Sequence, residues 1–137
     1  MNRILTIGLV AALALLLGSC EYKKYTEGPL TTVFPADFRL ERTWTWALAL
    51  EEGDNVTGVL ADSTIEFQSN QVVRICPVDG GDCREGTWAL VTRRTKLNLI
   101  FGKSAEAFDI QRLTQSEVYL QSTEANVDTY WELNAVE

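Results

Sequence analysis

The stretch Thr43-Trp44-Thr45-Trp46-Ala47-Leu48-Ala49-Leu50 decides the fold. Large apolar side chains recur at every second position, and a chain with period two turns alternate residues to opposite faces, as a half-buried strand does and a helix does not. Trp44, Trp46, Leu48 and Leu50 are therefore predicted to share one face, with Thr45, Ala47 and Ala49 on the other. The alternation continues through Ile65 and Phe67, Val73 and Ile75, Trp88 and Leu90, Leu97 with Leu99 and Phe101, Phe108 and Ile110, Val118 and Leu120, and Trp131 and Leu133.

Turn formers separate these runs: Glu52-Gly53-Asp54-Asn55, Ser69-Asn70, Asp79-Gly80-Gly81-Asp82, Gly102-Lys103-Ser104, Thr114-Gln115 and Glu124-Ala125-Asn126. No gap is long enough for the crossover that parallel strands require, so the expectation is an all-β, antiparallel up-and-down meander. A flat sheet would leave two bare edges, and closure into a small barrel of about eight strands removes them.

Composition narrows the function. Hydrophobic residues make up 46% and charged residues 23%, ordinary for a globular domain. Lys+Arg number 12 against Asp+Glu 19, a net charge of −7, so nucleic acid is not an expected partner. The absence of His removes the commonest general base and metal ligand, and no Gly-x-Ser-x-Gly elbow occurs. The chain is read as non-catalytic, with no cofactor and no metal.

Residues 1–19 read as a signal peptide: Arg3, the apolar run Ile4 to Leu17, then small residues. The run is shorter than the roughly 20 residues of a membrane span. Leu17-Gly18-Ser19-Cys20 looks like the lipobox of bacterial lipoproteins, in which the cysteine becomes the lipidated first residue. A diacylglycerol thioether plus an amino-terminal acyl chain such as palmitate anchors stably, at about 0.8 kcal/mol per buried methylene. The expected location is therefore an outer or periplasm-facing membrane, reached by export. Residues 20–40 carry Lys23-Lys24, Gly28-Pro29 and Pro35 and no sustained apolar period, and are read as the lipidated Cys and a flexible tether spanning on the order of 25 Å. Phe34 and Phe38 are expected to cap the domain that follows, residues 41–137.

Leu40-Glu41-Arg42-Thr43-Trp44-Thr45-Trp46, Gly86-Thr87-Trp88-Ala89-Leu90, Leu97-Asn98-Leu99, Phe108-Asp109-Ile110-Gln111-Arg112-Leu113-Thr114, Val118-Tyr119-Leu120 and Tyr130-Trp131-Glu132-Leu133 are similar in order and spacing to the lipocalin-like lipoproteins of Bacteroidota. Arg42 stands where such proteins often have Gly. The resemblance implies a lipocalin-like barrel on a surface or periplasmic lipoprotein.

Cys76 and Cys83 flank Pro77-Val78-Asp79-Gly80-Gly81-Asp82, and in an exported chain they are expected to form a disulfide. Closing so short a loop is worth about 2.5 kcal/mol. Asp79, Asp82 and Glu85, or Glu51, Glu52 and Asp54, offer oxygens for calcium, but neither run has the spacing of a known calcium loop. Asp62-Ser63-Thr64 resembles a short O-glycosylation motif of the same phylum, which makes Ser63 a candidate for modification. Trp44, Trp46, Trp88 and Trp131 either line a site for a small hydrophobic or aromatic ligand or simply fill the barrel. Two functions follow: a non-catalytic, lipid-anchored binding module, or a structural or interaction lipoprotein, an accessory subunit or inhibitor of an envelope protein, acting through its loops.

Overall fold

The computed structural model describes residues 21–22, 25–29, 31–124 and 126–137 of the chain, so the leader and Cys20 lie outside the described residues. In chain order the elements are β1 (Glu21–Tyr22), β2 (Thr31–Thr32), α1 (Ala36–Leu40), β3 (Thr43–Glu51), β4 (Asp54–Asn55), α2 (Thr57–Leu60), β5 (Ser63–Phe67), β6 (Val72–Pro77), β7 (Arg84–Val91), β8 (Lys96–Phe101), β9 (Ser104–Leu113), β10 (Glu117–Ser122) and β11 (Thr129–Ala135). From β5 onward each strand pairs antiparallel with the next, β5 also pairs with β3, and β11 returns to β3 from Thr129↔Glu51 to Ala135↔Trp44. The result is the expected all-β meander: a closed antiparallel barrel of eight strands, with β4 as one extra strand beside the end of β3.

The predicted single face of β3 is broken. Glu132 pairs with Leu48 but Leu133 with Trp46, so Ala47 is an extra residue, a bulge. Trp44 and Trp46 point inward as expected, but after Ala47 the phase flips: Ala49 is fully buried and Leu48 and Leu50 are only half-buried. Ala49 stays paired with Trp131, and its N–H donates to the Thr57 hydroxyl at 2.8 Å. A second bulge, at Gln111, lies between the pairs Tyr119↔Arg112 and Leu120↔Ile110 and turns Phe108, Ile110 and Leu113 inward.

The segment expected to be a tether is packed from Tyr25 onward. Tyr25 is buried, its hydroxyl donates to the Arg94 carbonyl at 3.0 Å, and the Glu27 N–H donates to the Gln111 carbonyl at 2.7 Å. Ala36, Arg39 and Leu40 of α1 are buried as well, with the Arg39 guanidinium 5.6 Å from the Tyr25 ring and donating to the Leu113 carbonyl. Apolar side chains with polar partners across the fold outweigh the Gly and Pro signals that mark this stretch as a linker. Phe34 and Phe38 stack on each other at 5.4 Å but remain 41% and 53% exposed, so they decorate this end without sealing it.

The barrel thus has two unlike ends. At the closed end Trp44, Phe67, Leu97 and Leu113 are fully buried, and Arg42 lies 5.8 Å over the Trp44 ring while donating to the Gln115 carbonyl. The other end, where β3 finishes and β9 begins, is open.

Candidate functional site

A cavity of about 430 Å³ occupies the open end. That is within the range of sites for small molecules, roughly 300 to 1,000 Å³. Its apolar wall begins with Trp46 and Trp131, whose rings meet edge to face at 4.9 Å and 86°, and Phe108, tilted 34° against Trp131 at 4.6 Å. Strand alternation places these rings: Trp46 precedes the β3 bulge, Phe108 precedes the β9 bulge, and Trp131 faces Leu120 across β10. Leu60 of α2 contributes from above, where the Ser63 hydroxyl donates to the Leu60 carbonyl at 2.8 Å.

The four tryptophans divide into two pairs. Trp44 and Trp88 do not line the cavity: Trp44 donates to the Leu40 carbonyl at 3.0 Å, and Trp88 donates to the Gln68 carbonyl at 3.0 Å and packs edge-on against Phe67. Trp46 lines the cavity, and its N–H donates to the Ser63 hydroxyl at 3.1 Å. Trp131 also lines it, is 7% exposed, and carries a buried N–H with no acceptor among the described residues. Leaving a buried donor unpaired costs about 1 to 3 kcal/mol, so this indole is the one whose hydrogen bonding the fold does not complete. Ser63, singled out as a glycosylation candidate, has its hydroxyl engaged on both sides by the interior.

Charge is concentrated at the rim. Glu51 ends β3, Glu106 lies on the inward phase of β9 opposite Leu99, Glu124 follows β10, and Arg84 starts β7 opposite Ile75. The Arg84 guanidinium rests 4.4 Å over the Phe101 ring and makes no ion pair with a carboxylate among the described residues. Desolvation pushes the Glu106 carboxyl above its usual range; Arg84 opposes the shift, and Glu51 and Glu124 reinforce it. Glu106, Glu124 and Arg84 escape a sequence reading because they are far apart in the chain. The available signal is that Glu106 shares the phase of Phe108 and Ile110.

Cys76 and Cys83 form a disulfide with Cα atoms 4.2 Å apart. It sits one residue beyond the Ile75–Arg84 pair, and both of those residues line the cavity. The staple therefore fixes the strand ends that carry one side of the mouth. The acidic turns considered for calcium are exposed, Glu85 pairs with Arg74 at 3.4 Å, and no group of three Cys, Asp or Glu that could hold a metal ion occurs among the described residues.

No family model and no curated protein matches the chain. Among solved structures it is similar to a lipocalin-like protein from Bacteroides uniformis, with a TM-score of 0.56 and 14% identity over 72% of this chain and 99% of that one. At that identity the likeness is one of fold: the barrel is lipocalin-like.

Proposed function

We propose that the chain is an exported, lipid-anchored and non-catalytic binding module that takes a small hydrophobic or aromatic ligand in the open end of its barrel. The observation that carries this reading is the cavity beside Trp46 and Trp131, together with the unpaired Trp131 N–H that a ligand oxygen or nitrogen would satisfy. A lipocalin-like barrel gives such a ligand rigid walls on strands and an entrance bordered by loops, and the filled closed end holds the walls apart. The anchor at Cys20 rests on the lipobox and the apolar run before it.

Titration of the protein with N-phenyl-1-naphthylamine, a small apolar aromatic amine, tests the binding reading. Saturable quenching of tryptophan fluorescence is expected, and Ser122→Trp should abolish it, because Ser122 faces Phe108 across the strands and its enlargement fills the cavity. A linear, unsaturable response equal in both proteins would refute a site at the mouth.

The second reading, an interaction lipoprotein, finds its support at the opposite end, where Val33, Phe34 and Phe38 are exposed together. An envelope protein that buries these side chains would be its partner.

A further inference from the structure

Resting on the binding reading above, we propose that the mouth selects an organic cation: an apolar or aromatic body seated against Trp46, Trp131 and Phe108, with an ammonium group facing Glu106, Glu51 and Glu124. Three observations converge on this class. The cavity wall has two indoles at right angles, and aromatic faces attract ammonium groups through their quadrupole. The ionisable side chains lining the cavity are three carboxylates against one guanidinium. That guanidinium rests over the Phe101 ring and forms no ion pair with the three carboxylates, which outnumber it and leave the lining net negative. An anionic ligand such as a fatty acid would meet all three carboxylates on its way in.

The desolvation that raises the Glu106 carboxyl above its usual range also makes the site responsive. Bringing a cation to Glu106 favours its charged form, so cation affinity should rise with pH through the range in which Glu106 ionises. The charged groups that face Glu106 are Arg84 from β7, Glu51 from β3 and Glu124 from the connection after β10, and their contributions to its protonation have opposite signs.

The test is calorimetric titration with three ligands of one chain length, decyltrimethylammonium, decanol and decanoate, each below its micelle-forming concentration. The cation should bind about tenfold more tightly than the alcohol, and decanoate most weakly. Glu106→Gln should reduce the affinity for the cation by about three- to tenfold and leave decanol unchanged, whereas Arg84→Gln should strengthen cation binding. Decanol binding as tightly as the cation, or decanoate binding best, would overturn the charge selectivity while leaving a binding module in place. Failure of all three, together with failure of N-phenyl-1-naphthylamine, would remove the binding reading itself.

Discussion

Gly86→Ala is expected to be the most damaging single-methyl change in the barrel wall. A Cβ at position 86 would lie 2.2 Å from the Ile100 carbonyl oxygen, 2.7 Å from Phe101 Cδ1 and 3.1 Å from the Ile100 carbonyl carbon. Side chains can turn away, but Ile100 is held between Thr87 of β7 and Ala105 of β9, so its backbone can retreat only by loosening a ladder on both sides. Overpacking a well-filled site costs about 1 to 3 kcal/mol, and the backbone contact puts Gly86→Ala at the upper end, about 3 kcal/mol. Gly58→Ala is the matched control: nothing lies within 4 Å of its added Cβ, it sits in α2, and the change should be neutral or stabilising by up to about 1 kcal/mol. Urea unfolding followed by tryptophan fluorescence measures both. A loss at Gly86 smaller than about 0.5 kcal/mol would show that β8 gives way easily, and the rigid-wall account of the cavity would fall with it. Since Phe101 carries Arg84, a folded Gly86→Ala protein should also have a disturbed mouth.

Replacing both Cys76 and Cys83 with Ser should lower stability by up to about 2 to 3 kcal/mol without unfolding the domain, as thermal or urea denaturation will show, and alkylation of native protein should find both thiols blocked. The raised Glu106 carboxyl keeps its proton longer in the folded state than in the unfolded chain, so its contribution falls as pH rises from the ordinary carboxylate range through the folded value. Glu106→Gln should accordingly stabilise the protein at neutral pH, and the gain should disappear in acid, where both forms are neutral; a constant difference across a pH series of melting curves contradicts this. Cys20→Ser should prevent acylation and leave an unprocessed precursor, and label from an acyl probe retained by the serine variant would refute the anchor.

Much of the barrel is legible in the sequence because its strands obey local rules. Alternation at Trp44-Thr45-Trp46 or Leu97-Asn98-Leu99 leaves one face apolar, and short turns leave antiparallel pairing as the expected connection. The Ala47 bulge is not legible, since Leu48-Ala49-Leu50 is apolar on both phases and period two fits either register. Docking of Tyr25 and α1 depends on the Arg94 and Leu113 carbonyls, which lie far along the chain and carry no sequence signature. The site divides in the same way. The four tryptophans are visible as large rings on inward phases, but which of them meet a cavity depends on the end of the barrel each strand position reaches. The rim charges become a group only when β3, β7 and β9 are wrapped together.

The clamp at Tyr25 shortens the leash. Were the whole of residues 20–40 loose, a lipid on Cys20 would hold the barrel at arm's length; instead Glu21 and Tyr22 pair with Thr32 and Thr31, and Tyr25 is docked on the barrel. Tyr25 docks at the closed end, where the Phe34–Phe38 pair is exposed, opposite the mouth. An acylated chain would therefore stand close upon the bilayer with its aromatic pair toward the head groups and its opening turned to the aqueous space. A ligand would then have to arrive through water, and its traffic would be set by its aqueous concentration and not by its partition into the lipid beneath.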